Sequence, residues 1–196
     1  MNNVKKDIGF FLLLAIIVHG FSSCASAARP RETRPYVWLT ENARFVLLPT
    51  KNIETLMDNQ QLISAYFGGQ NHRLIAWVKA DDEVIDMTFI SELGATVGEL
   101  SYRDGVVRFS SPVLPRAFGG EFIVADFQLA FYCAAALRDA MESIGLRFEE
   151  VVGEAGNSRR VFDGETLIVE IERSRSLVRL VNHLRGYSMT FEGDFE

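Results

Sequence analysis

A chain of 196 residues with 48% apolar content and 15 Phe has the length of one domain and enough apolar surface to bury a core without staples. Its formal charge of −6 and the lack of a basic stripe exclude a nucleic-acid surface.

The first segment reads as targeting rather than fold. Lys5 and Lys6 form a basic n-region ahead of an apolar run, Ile8 to Val18, that is too short for a comfortable membrane span. Ser22 and Ser23 then lead into Cys24, which resembles a bacterial lipobox with Phe21 in place of the usual Leu. Ala25-Ser26-Ala27 offers ordinary signal peptidase a competing site. The expected organisation is a signal peptide over 1–23, a lipidated Cys24 with a flexible tether over 24–35, and a single domain over 36–196. Ala25 after the cysteine resembles the pattern that enteric-type bacteria sort to the outer membrane. The expected location is therefore its periplasmic face, with secretion to the periplasm as the alternative. Anchoring would rest on acyl chains, since an acidic body is not drawn to anionic head groups. With Cys24 lipidated, Cys133 has no disulfide partner.

Residues 25–35 carry Arg29, Arg31, Arg34 and two prolines without apolar periodicity, and read as the tether. Strand-type runs begin at Tyr36–Leu39 and Arg44–Leu48, and residues 50–60 read as a polar connection. Runs over 61–67, 72–80, 83–91, 96–102 and 106–110 are each closed by turn chemistry, including Gly68-Gly69 and Asp104-Gly105, and predict an antiparallel meander over 61–110. In the third run Ile85, Met87 and Phe89 share one face against Asp86 and Thr88. Leu100 and Tyr102 share a face, and Val107 and Phe109 another.

Glu121 to Gly145 is the one long segment of the mature chain with helical spacing. Phe122, Leu129, Cys133, Leu137, Ala140, Met141 and Ile144 form one stripe, and Val124, Phe127 and Phe131 a second. A helix apolar on two sides touches two things, here a sheet and either more protein or a greasy ligand. One straight helix would bury Asp126 at a cost of several kcal/mol unless it were satisfied. The spacing therefore predicts two helices, over 121–131 and 134–144, jointed near Tyr132-Cys133 and capped by Gly145. Cys133, on the stripe, is expected to be a small buried hydrophobe. Strands resume over 146–152, 159–162, 166–173, 177–181 and 186–191, with an Asp163-Gly164 hairpin, with Leu167, Val169 and Ile171 alternating with Ile168, Glu170 and Glu172, and with Tyr187, Met189 and Phe191 on one face. The fold class is mainly β with inserted helices (α+β): a curved antiparallel sheet or incomplete β-barrel of about 11 strands under a helical lid.

Chemistry is sparse. His72 and His183 are the histidines left after the leader, and no metal-ligand spacing, serine elbow or phosphate loop is present, so neither a metal, a cofactor nor an enzymatic activity is expected. Carboxylates such as Asp81-Asp82-Glu83 and Glu149-Glu150 fall where turns and wet faces are expected.

The order of lipobox, meander, paired helices and closing strands is similar to the LolA/LolB fold, an incomplete antiparallel barrel whose apolar concave face is covered by helices. More narrowly, Phe122-Ile123-Val124-Ala125-Asp126-Phe127-Gln128-Leu129-Ala130, Leu137-Arg138, Val181-Asn182 and Gly186-Tyr187 resemble a family of uncharacterised bacterial lipoproteins often encoded beside aryl-polyene or fatty-acid-type biosynthesis genes. Cys133 stands where that family suggests a proline between the helices. The resemblance spans roughly residues 40–192 and implies binding of a hydrophobic moiety, such as an acyl chain or a lipoprotein's lipid, beneath a lid. Trp77, Phe89, Tyr102, Phe109, Tyr187 and Phe191 are first of all core candidates, and a lipid-lined cavity would use the same residues; the lining expected for it is Trp77, Met87, Phe89, Tyr102, Phe122, Phe127, Phe131, Leu137, Met141, Tyr187, Met189 and Phe191. The alternative is a structural or assembly lipoprotein whose helical face meets a protein partner.

Overall fold

A computed structural model describes residues 34–113, 119–154 and 156–195, so the leader, Cys24 and most of the tether lie outside the described residues. Strands β1 (Tyr36–Trp38) and β2 (Arg44–Val46) pair as a small hairpin, and a 3-10 turn at Thr50–Asn52 follows. Then come β3 (Met57–Phe67), β4 (Gln70–Ala80), β5 (Val84–Ile90), β6 (Thr96–Arg103) and β7 (Val106–Ser110). Two helices, α1 (Gly120–Phe131) and α2 (Ala134–Ser143), precede β8 (Arg147–Gly153), β9 (Gly156–Asp163), β10 (Thr166–Arg173), β11 (Leu177–Asn182) and β12 (Tyr187–Glu192).

Each half is a meander, and β12 joins them by pairing with β3, giving one antiparallel sheet of ten strands in the order β7-β6-β5-β4-β3-β12-β11-β10-β9-β8. Consecutive antiparallel pairs need only short turns, and the chain supplies them. Gly68-Gly69 (φ 59° and 78°) and Asp104-Gly105 (φ 52° and 73°) are left-handed at both central positions, the geometry whose twist matches that of the flanking strands.

The sheet is open but cannot be flat. The first turn of α1 lies against Val107 and Phe109 of β7, while Arg159 of β9 donates to carbonyls in its last turn. β7 and β9 are eight strand spacings apart, ~38 Å in a flat sheet at ~4.8 Å each. A helix the length of α1, 12 residues, spans only ~18 Å. The sheet therefore curls around the helix. Gly120 permits the contact at the β7 end, because a Cβ there would sit 2.6 Å from Phe109 Cβ and 2.8 Å from Val107 Cγ1.

The joint between the helices falls at Tyr132-Cys133, as the sequence predicts, and has a visible cause. Tyr132 is extended (φ −89°, ψ 157°) and forms a β-bridge with Ile53. Glu54 N–H donates to the Phe131 carbonyl and Cys133 N–H to the Asn52 carbonyl. Residues 52–54 thus take over backbone groups that a continuous helix would have used. Gly145 (φ 81°) ends α2, with Leu146 N–H donating to Met141 O and Gly145 N–H to Glu142 O, the two bonds of a Schellman cap. Cys133 departs from expectation: it is the half-buried N-cap residue of α2 rather than a buried stripe residue.

Four further readings need correction. β3 starts at Met57, inside the expected polar connection, because Asp58 and Gln60 point to solvent while Met57 and Gln61 are buried on the other face. Leu100 pairs with Phe109 and Tyr102 with Val107, so all four share the inner face. A bulge between Leu167 and Val169 turns both Ile168 and Val169 inward, breaking the simple alternation read for β10. Among the described residues twelve strands form, against the expected count of about 11, and ten of them make the main sheet.

Arg34–Glu196 forms a compact unit by itself, with one continuous core running from Val37 to Phe195. From Val124 to Phe131 every residue of α1 is buried. The second thing the helix touches is more protein: it packs on β1 of the hairpin as well as on β7, β10 and β11 of the sheet.

Candidate functional site: an apolar cavity under the first helix

The two ends of α1 are treated differently. At its C-terminal end the space between helix and sheet is filled. Leu129, Phe131, Tyr132, Leu137 and Met141 are fully buried, and polar side chains fasten the helix in place. The Gln128 amide accepts from Leu48 N–H (2.9 Å) and donates to the Leu48 carbonyl (2.8 Å), which also accepts from the Tyr102 hydroxyl (2.9 Å). Arg159, with a side chain wholly buried, donates to the Leu129 and Ala130 carbonyls at 3.1 and 3.0 Å and pairs with Glu150 (2.7 Å) and Glu54 (2.9 Å). A cation at a helix C-terminus complements its dipole and satisfies carbonyls that have no partner within the helix. Glu150 is therefore no solvated surface carboxylate, and this is a correction of its sequence reading.

At the N-terminal end the space is left open. A cavity of about 280 Å³ lies between α1 and the concave face of the sheet, near the lower end of the range of ligand pockets, ~300–1,000 Å³. Strand alternation builds one wall, with Ile63, Ala65 and Phe67 from β3, His72 and Leu74 from β4, and Met87 and Phe89 from β5. Phe122, Ile123, Asp126 and Phe127 of α1 form the roof, and Tyr187, Met189 and Phe191 of β12, with Arg185 and Gly186 before them, complete the lining. Behind this lining the core begins, with the Phe131 ring 4.8 Å from Phe127 and 6.3 Å from Phe191. At the rim Phe67 and His72 stack at 4.1 Å, and the Arg185 guanidinium lies 4.0 Å above the Phe122 ring while donating to the Trp38 carbonyl.

One polar group in this lining is buried. Asp126 is 8% exposed, and both its oxygens lie within reach of the Tyr187 hydroxyl, at 2.9 and 2.7 Å. The Asn182 amide orients that hydroxyl: its Oδ1 accepts from Arg185 N–H (2.9 Å), which leaves Nδ2 to donate to the Tyr187 oxygen (3.3 Å). The single Tyr187 proton is thereby directed at the carboxylate. Burial pushes the Asp126 carboxyl up to about 7, against the Tyr187 hydrogen bond and the Arg185 charge, which favour ionisation. Burial, then the neighbouring Asp126, hold the Tyr187 hydroxyl well above its usual range.

Of the expected lining, Met87, Phe89, Phe122, Phe127, Tyr187, Met189 and Phe191 line the cavity. Tyr102, Phe131, Leu137 and Met141 are packed into the core instead, because the curled sheet closes on the C-terminal half of α1. Trp77 lies on the opposite face of the sheet, 51% exposed, with its indole N–H on Asp58 (3.1 Å). Asp126 and Arg185 were not read as lining residues. Their partners are separated by up to 61 residues in sequence, so no local pattern reveals the pairing.

Among the described residues no group of three or more His, Cys, Asp or Glu is placed to hold a metal, and no helix is long and apolar enough to cross a membrane. His183 approaches Glu170 at 4.0 Å, away from the cavity lining. Asp81 is a turn device: its carboxylate accepts from the Glu83 and Val84 N–H groups, both at 2.9 Å, which lowers its pKa.

No curated protein is significantly similar to the chain. Residues 58–193, from the start of β3 through the end of β12, match the family described as "Protein of unknown function (DUF3261)", and the chain belongs to that family.

Proposed function

We propose that this domain binds a hydrophobic moiety, an acyl chain or a comparable apolar group, in the cavity beneath α1, and that it does so as a periplasmic lipoprotein tethered to the outer membrane through Cys24. The observation that carries this reading is the space at the N-terminal half of α1, walled by aromatic and aliphatic side chains where the other half of the same helix is packed solid. Burial of a methylene contributes ~0.8 kcal/mol, so a chain of several carbons gains enough there to be held in water. An open, curled antiparallel sheet with helices on its concave side is the arrangement that a LolA/LolB-like half-barrel would have, which supports a carrier or acceptor role. The alternative, a protein partner docking on residues 121–145, is the weaker reading. The apolar faces of α1 are already covered by β1 and the sheet.

Native mass spectrometry of residues 34–196, purified without detergent and then challenged with mixed lipids, tests the proposal. A bound mass in the lipid range is expected. A protein that is empty both after expression and after challenge would sink it.

A further inference from the structure

The geometry points to a headgroup site at Asp126 and Tyr187: we infer that the ligand is a single-chain amphiphile whose uncharged hydrogen-bond donor, a hydroxyl or an amide N–H, is received by the Asp126 carboxylate. The inference rests on the cavity being a ligand site, as proposed above, and says which class of ligand it selects. A carboxylate accepts several hydrogen bonds, yet among the described residues the Tyr187 hydroxyl is the one donor to Asp126, one proton serving two oxygens. That hydroxyl is already committed, because Asn182 fixes its direction. Asp126 lines the cavity, which brings a ligand held there beside its unused acceptor capacity.

The charges around it decide the kind of donor. Arg185 stands at the same end of the cavity, over Phe122, and acts on Asp126 electrostatically. A cationic head would meet the Arg185 guanidinium, and an anionic head would meet the Asp126 carboxylate. A neutral donor meets neither penalty and supplies the missing hydrogen bond. A purely hydrocarbon ligand would leave the buried carboxylate short of donors while excluding water from it, the situation by which a polar site rejects an analogue that lacks the matching group.

The test uses 1-decanol, its isomer methyl nonyl ether, which lacks a donor, and decanoate. Each displaces N-phenyl-1-naphthylamine from residues 34–196 at pH 8. Decanol is expected to bind about tenfold more tightly than the ether, which corresponds to ~1.4 kcal/mol. In the Asp126→Leu/Tyr187→Phe double variant, which removes the carboxylate together with the hydroxyl that donates to it and leaves only the long Asn182 amide contact unfilled, the ratio is expected to fall to one or below. Asp126→Asn is the second variant. It keeps an acceptor for Tyr187 but turns a donor toward the cavity, so it loses the preference as well. Equal affinities in the wild type, or a preference for decanol that survives in either folded variant, would overturn the headgroup assignment while leaving the cavity reading intact. Decanoate binding more tightly than decanol would place the head on Arg185 and overturn it too. Failure of the dye and of all three compounds to bind would instead remove the cavity reading, and this inference with it.

Discussion

Replacing Asp126 by Asn should change how stability depends on pH, in a direction that the structure fixes. Asp126 is 8% exposed, and burial raises its carboxyl from 3.8 to about 7. The folded protein therefore holds this proton more tightly than the unfolded chain does. The resulting stabilisation is fully present below pH 3.8, is lost as pH rises, and is gone above about 7. At ~1.4 kcal/mol per pH unit, the interval amounts to up to ~4 kcal/mol. Asn stays neutral throughout and still offers Tyr187 an acceptor. Urea unfolding of residues 34–196, followed by tryptophan fluorescence at pH 4, 5.5, 7 and 8.5, gives the wild type and Asp126→Asn side by side. Other titrating groups are common to both, so the difference isolates Asp126. The variant should gain on the wild type between pH 4 and 7 by up to ~4 kcal/mol and then run parallel to it. A difference that is flat with pH, or a wild type that gains on the variant as pH rises, would refute the reasoning.

Arg159→Met should destabilise the domain by ~3–5 kcal/mol, because it strands the largely buried Glu150 and two helix carbonyls around a wholly buried position, while the half-exposed Glu54 keeps its pair with Arg173. The urea midpoint measures this, and a loss below ~1 kcal/mol would show that the network is not a structural tie. Gly120→Ala should cost ~1–3 kcal/mol despite the better helix propensity of Ala, because its Cβ would lie 2.6 Å from Phe109 Cβ and push α1 off β7. A variant as stable as the wild type would indicate that the helix start is loosely packed. If Cys24 carries the anchor, Cys24→Ala in the full chain abolishes incorporation of radiolabelled palmitate, and persistent labelling contradicts the lipobox assignment.

Much of this fold was legible because its turns are built from residues with one physical reason to be there. Asp104-Gly105 and Gly68-Gly69 announce left-handed turns, and Gly145 announces a helix stop. The helix joint was also legible, although Asp126 is not what breaks the helix. Asp126 sits inside α1 and is satisfied by Tyr187, while the break is imposed by residues 52–54. The polar opening of β3 hid a strand, since Asp58, Asn59 and Gln60 look like loop until their pairing with Lys79, Val78 and Trp77 is known. Two signals were present and unread. Trp77 shares strand phase with Arg73 and Lys79, which marks it as outward, and Arg159 shares phase with Val161, which marks it as inward. The split of the lining between cavity and core depends on how tightly the sheet curls, and so on contacts between distant strands that no sequence window contains.

The claim that the concave space beneath α1 holds an apolar ligand is tested most directly by photo-crosslinking. A fatty alcohol bearing a chain diazirine is equilibrated with residues 34–196, irradiated, and its adducts mapped by peptide mass spectrometry. Adducts are predicted on inward residues of the cavity wall, such as Ile63, Phe89, Phe127 and Met189, and unlabelled decanol should compete them away. Labelling confined to exposed outer positions such as Tyr66 and Trp77, with no competition by decanol, would contradict the account.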